Sequence, residues 1–103
     1  MRWVPLLSCL AIACAAPDLE GACKGFVSAA NGCNQEHADA KGNDPVLLQD
    51  DLCETDTSEA SHDDLQAGVD RYDCKADAYA SADCSTDDGF ESAIAADAAC
   101  DAA

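Results

Sequence analysis

Apolar residues in this chain form one run and then a series of stripes. From Trp3 to Ala16 nearly every position is apolar, with Ser8 the polar exception. Beyond Pro17 the pattern turns periodic. Leu19, Cys23, Phe26, Ala30, Cys33 and His37 recur at steps of four and three, which places them on one face of a helix. Asp18 stands where an N-cap belongs. Gly21, Gly25 and the Asn31-Gly32 pair interrupt the stripe, and Asn31-Gly32 marks a possible early end. Lys41-Gly42-Asn43 reads as a stop.

Asp44-Pro45 followed by Val46-Leu47-Leu48 and Leu52 predicts a second, short helix, with Asp as cap and Pro in the first turn. Residues 54–60 are polar, lack a period and read as a loop. Ser61-His62-Asp63-Asp64 is a capping box with Asp in place of Glu. The stripe behind it is Leu65, Val69, Tyr72, Ala76 and Tyr79. At about 100° per residue, Cys74 falls about 180° from that stripe. A bridged cysteine there requires cover on two sides, so this helix is expected at the centre of the molecule. Ser85-Thr86-Asp87-Asp88 opens the last helix, which Phe90, Ile94, Asp97-Ala98 and Cys100 complete. Alanines at 93, 95, 96, 98 and 99 permit close helix approach but bury little area. The pattern predicts an all-α fold, a small bundle of three to four helices forming one domain over residues 17–103.

The apolar run has the layout of a secretory signal peptide over residues 1–16, with Arg2 ahead of it and small side chains at its end. It is too short to span a bilayer, which takes about 20 apolar residues. Ala11-Ile12-Ala13-Cys14 fits a bacterial lipobox, with Ala11 in the slot where Leu is usual. Cleavage before Cys14 and lipidation of Cys14 are therefore expected. The alternative is cleavage nearby, after Ala13 or Ala15, giving a soluble secreted chain.

Composition narrows the function. The chain carries 21 acidic and five basic residues, a formal net charge of −16, and every acid lies after Pro17. Such a surface repels nucleic acid and anionic lipid, so neither is an expected partner. Contact with a membrane would come only through the N-terminal lipid. An acidic, Ala-rich surface is a well-solvated one, and it would also suit a saline medium. Large apolar residues are few, and a core of this size contributes only a few kcal/mol (~3–5).

That deficit gives the cysteines their meaning. Cys23 and Cys33 enclose nine residues, Cys74 and Cys84 enclose nine, and Cys53 and Cys100 complete a set of six. An even set behind an export leader reads as a disulfide framework. The doubled Cys-x9-Cys spacing resembles the twin CX9C proteins, small antiparallel helical hairpins tied by an outer and an inner bridge. That resemblance implies Cys23–Cys84 and Cys33–Cys74, and the working expectation adds Cys53–Cys100. The chain departs from that family in the 40 residues between Cys33 and Cys74, in its leader and in its two further cysteines. Equal spacing does not set direction, and parallel helices would pair Cys23–Cys74 and Cys33–Cys84. Six cysteines allow fifteen connectivities. With its leader ending in Cys14, and with segments such as Arg71-Tyr72-Asp73-Cys74 and Ala82-Asp83-Cys84-Ser85, the chain also resembles small acidic six-cysteine exported proteins and lipoproteins of myxobacterial type. That resemblance implies a location rather than an activity.

Candidate chemistry is sparse. From Asp83, Ser85 and Asp87 alternate as in an EF-hand, but the glycine comes one position late at Gly89 and position twelve is Ile94. The pairs Asp50-Asp51, Asp63-Asp64 and Asp87-Asp88 suit helix N-termini through the dipole. His37 and His62 stand apart beside acids, without the short Cys/His pairs that zinc takes, and read as solvated or cap-adjacent. Neither a Cys-x-x-Cys pair nor a nucleophile elbow is present. No catalytic, metal or cofactor residue is expected. The function expected is that of a non-enzymatic exported envelope or extracellular protein, an acidic binding or structural scaffold for an unknown protein or envelope partner. The alternatives are a small secreted effector, such as an inhibitor or toxin, and a weak divalent-cation binder.

Overall fold

The computed structural model describes residues 16–102; residues 1–15, which include Cys14 and all but the last residue of the expected leader, lie outside the described residues. Three helices follow in order: α1 (Leu19–Lys41), α2 (His62–Ala80) and α3 (Asp87–Ala102), with a single 3-10 turn, Asp50–Cys53, between α1 and α2. The protein is a small all-α bundle stapled by disulfides, as the stripes predict.

The helix ends follow local chemistry. Asp18 Oδ1 accepts the Gly21 N–H at 2.9 Å and caps α1. Gly42 ends α1 in the left-handed region, at φ 71°. From there the Gly42 and Asn43 N–H groups bond back to the Asp39 and Ala38 carbonyls at 3.3 and 2.8 Å. Ser61 Oγ accepts the Asp64 N–H at 3.0 Å and caps α2. Thr86 Oγ1 does the same for Gly89 at 3.0 Å and starts α3. The early end at Asn31-Gly32 does not occur. Asn31 gives its amide to a distant segment instead of its own turn, and Cys33, the residue after Gly32, is anchored by a bridge.

The second expected helix does not form. Residues 43–49 carry no helix, and only the 3-10 turn beyond them is wound. The segment is bonded along α1 instead. Asn31 takes both backbone groups of Leu48, and Asn34 takes the Val46 carbonyl. Helical backbone would keep those groups for itself, so the side-chain amides and a helix at 44–49 exclude each other. This strap runs back along α1, antiparallel to it, and delivers Cys53 to Cys23.

The return decides the direction of α2. Leu19 packs at Gly68, Phe26 stacks near Tyr72 and Tyr79, and Cys33 reaches Cys84. Contacts advance together along both helices, so α1 and α2 are parallel. The expected antiparallel pairing is overturned. The bridges are Cys23–Cys53, Cys33–Cys84 and Cys74–Cys100, in place of Cys23–Cys84, Cys33–Cys74 and Cys53–Cys100. Two facts account for the difference. The long connection has room to return to the start of α1, and α2 ends at Ala80, which leaves Cys84 in a turn rather than on the helix. The parallel alternative anticipated one bridge, Cys33–Cys84. No cysteine among the described residues is free.

Helix α2 lies in the middle, as the placement of Cys74 implies. On one side it packs against α1. On the other, Cys74 bridges to Cys100 of α3. The core has two centres. Cys23, Val27 and Cys53 pack with Phe26 and Tyr72; Cys33, Cys84 and Ala93 pack with Tyr79, Ala82 and Phe90. Along α3 the inward residues are Phe90, Ala93, Asp97 and Cys100, while Ile94 faces solvent. Small Ala93 lets α3 sit close to α2.

Gly89 is fixed by such an approach. A Cβ there would run into the Asp83 carbonyl oxygen and the Thr86 hydroxyl, in the turn that positions Cys84. Gly89→Ala is expected to destabilise the oxidised protein by about 1–3 kcal/mol, as overpacking of a fixed backbone does. Thermal or urea unfolding measures it, and an unchanged midpoint would contradict the contact.

Candidate functional site

The strap is the most distinctive surface of the molecule, and α1 builds it. Asn31 and Asn34 are three residues apart and share a helical face. Asn31 Nδ2 donates to the Leu48 carbonyl at 3.0 Å, and the Leu48 N–H donates to Asn31 Oδ1 at 2.7 Å. Asn34 Nδ2 donates to the Val46 carbonyl at 3.1 Å. The two amides act as a neighbouring strand would, bonding alternate residues of an extended chain.

Pinning the backbone leaves its apolar side chains outside. Val46 is 84% exposed, Leu47 44%, Leu48 37% and Leu52 44%. A cleft of about 290 Å³ lies between the strap and the helices, floored by Ala38, Pro45, Leu48 and Phe90. A smaller one, about 190 Å³, lies beside the Cys23–Cys53 bridge, between Pro17, Thr55, Thr57 and Tyr72. Four large aliphatic groups held outward in one short segment form a patch that a small acidic protein has no solvation reason to keep.

The cleft beneath the strap is lined at the helices by His37 and Phe90, which belong to a polar tie between α1 and α3. His37 stacks on Phe90 with ring centroids 3.9 Å apart and planes within 3°. Its Nε2 lies 3.0 Å from Asp87 Oδ1, and Lys41 Nζ donates to Asp87 Oδ2 at 2.8 Å. The hydrogen bond from Lys41, then that involving His37, holds the Asp87 carboxyl below its ordinary range. The expectation of a solvated or cap-adjacent His37 is thereby corrected: the residue is half-buried and packed. Its partner stands 50 residues away, so no local signal pointed to it. His62 does sit at the start of α2, directly after its cap.

A second tie joins α2 and α3. Lys75 Nζ donates to Asp97 at 2.7 Å and to Asp101 at 2.9 Å. It also lies 5.7 Å from the centre of the Phe26 ring. Burial opposes the Lys75 charge, but the two carboxylates outweigh it and raise its pKa. The Tyr79 hydroxyl donates to the other oxygen of Asp97. Burial, and after it that bond, pushes the Tyr79 hydroxyl well above its usual pKa.

The other acids do not converge. Asp63-Asp64 and Asp87-Asp88 occupy the first turns of α2 and α3, and Asp50-Asp51 that of the 3-10 turn. In the calcium-like stretch, Asp83 accepts from Ser85 while Asp87 turns to Lys41 and His37. Among the described residues no group of three or more His, Cys, Asp or Glu side chains is placed to hold a metal ion. No protein-family model, curated protein or solved structure matches this chain.

Asn31→Ala is expected to release the strap while leaving the three helices wound. Amide exchange at Leu48 should accelerate at least tenfold, with helical circular dichroism unchanged. Protection equal to wild type would mean that the amide does not hold the segment. Asp87 gives a pH test. Its folded pKa lies below the ordinary carboxylate value of 3.8, so its tie contributes stability above about pH 4 and loses it as pH falls through the folded value. Asp87→Asn should therefore melt at a lower temperature than wild type near pH 6, and the gap should close in acid, once the pH has fallen through the lowered folded pKa. A gap that persists in acid would contradict the tie.

Proposed function

We propose that this protein is a non-enzymatic exported scaffold that binds a protein partner in the cell envelope or outside the cell. The observation that carries the reading is the strap: four large apolar side chains presented to solvent by backbone bonds on a disulfide frame. A rigid apolar patch on a charged surface is the usual anatomy of a protein-binding site. The bridges are at home in an oxidising compartment. No described helix is long and apolar enough to cross a membrane. Acylation at Cys14 would hold the domain at a bilayer surface, with the strap turned to whatever it meets there.

Replacing Val46, Leu47 and Leu52 together by Ser tests the role. These side chains point outward, so the variant should melt within about 0.5 kcal/mol of wild type. Cross-linking in native envelopes should trap a partner with wild type and lose it with the triple variant. Equal cross-linking by both would remove the strap from the function. Mass spectrometry of the native N-terminus decides the anchor, because a chain starting at Ala16 without acyl mass would make the protein a diffusing effector instead.

A further inference from the structure

We infer that the strap binds by strand addition, and that its occupant is an extended, cationic segment of a partner protein. The inference rests on the binding role proposed above and assigns its chemistry. In an extended chain the N–H and C=O of one residue point to one side and those of the next residue to the other. The Val46 carbonyl and both groups of Leu48 face α1 and are bonded by Asn34 and Asn31. Both groups of Leu47, and the Gln49 N–H, must face outward. No described residue bonds them, whereas the Gln49 carbonyl is taken by the Leu52 N–H. The backbone at Gln49 is extended, with φ −96° and ψ 143°. The strap is thus an irregular segment, extended at Gln49, that is bonded on one edge only, and the bonds on that edge come from side-chain amides.

Two features suit it to receive a partner. Its order is set in advance by three hydrogen bonds and the Cys23–Cys53 bridge, so a docking chain does not have to organise it. The sign of the surroundings selects the occupant. Exposed Asp44 precedes the apolar stretch and exposed Asp50 and Asp51 follow it, on a chain of net charge −16. Of the nearby bases, Lys41 is committed to Asp87 and Lys24 to Glu20. A second copy would bring the same carboxylates edge to edge. A segment alternating apolar and Lys or Arg side chains would lay its apolar set beside Val46 and Leu48, which share a face of the extended chain, and carry the other to the acids.

The test uses the oxidised protein and a synthetic heptapeptide, Lys-Val-Lys-Val-Lys-Val-Lys, capped at both ends, at about 0.15 M salt, where long-range charge is screened. Saturable binding is expected, with the largest amide shifts at Leu47 and Gln49. The same peptide N-methylated at every internal residue keeps its charge but cannot donate from either edge; it should bind at least tenfold more weakly. Leu47→Pro removes one outward donor and spares the inward bonds of Val46 and Leu48. It should weaken the unmodified peptide at least tenfold with an unchanged melting point. Equal affinity for the two peptides, shifts spread over the helix acids, or a strap-mediated dimer without peptide binding would each overturn the inference. If strand addition fails while the triple Ser variant still loses its cross-linked partner, the docking role stands and only this mode falls.

Discussion

The fold depends on placing disulfides where a larger protein would place aliphatic side chains. Among the described residues, half of the buried apolar ones are bridge cysteines, and Val27 and Leu65 are the only buried aliphatics larger than alanine. Each core cluster is centred on a bridge, with aromatic rings packed around the sulfur. The bridges close spans of 30, 51 and 26 residues. In the chain-entropy picture each span gives about 3–4 kcal/mol. That is comparable to what a core this small supplies by burial. A core made of sulfur frees the aliphatic residues from structural duty, and Val46, Leu47, Leu48 and Leu52 are accordingly left at the surface.

Charge is handled in the same economical way. Lys24 pairs with Glu20 within α1, while Lys41 and Lys75 join helices through Asp87 and through Asp97 with Asp101. Most of the other acids are exposed, where their mutual repulsion is screened by salt. The exposed ion pairs add little stability by themselves. Lys75 is the exception in setting. Its side chain is 15% exposed and Asp97 is 17% exposed, and the hydroxyl of Tyr79 completes the carboxylate. That junction fixes how α3 lies on α2.

Much of the fold was legible from period and caps. The stripes of α1 and α2 face inward as read, Asp18 and Ser61 cap as read, and Gly42 stops α1. The central place of α2 followed from the angle of Cys74 alone. What escaped was set by distance in sequence. Asp44-Pro45 is a sound local helix start, but Asn31 and Asn34 compete for the same backbone from another element. Neither amide carries a mark that separates it from an exposed Asn. The antiparallel pairing followed from a shared spacing, and spacing is blind to the path of the chain between. A 40-residue connection that runs back along α1 turns the second helix parallel and hands Cys53 to Cys23. The candidate site was lost for the same reason: its apolar residues were visible, but they were assigned to a helix face that would have hidden them.

The order of the bridges has a topological consequence. Numbered along the chain, the cysteines pair first with third, second with fifth and fourth with sixth. Each loop therefore overlaps the next, and every peptide bond from Cys23 to Cys100 is spanned by at least one bridge. A protease that cuts the polar connection at residues 54–60 releases nothing, because the Cys33–Cys84 bridge still joins the two pieces. One cut anywhere between Cys23 and Cys100 leaves the two pieces covalently joined, and only reduction would let them part.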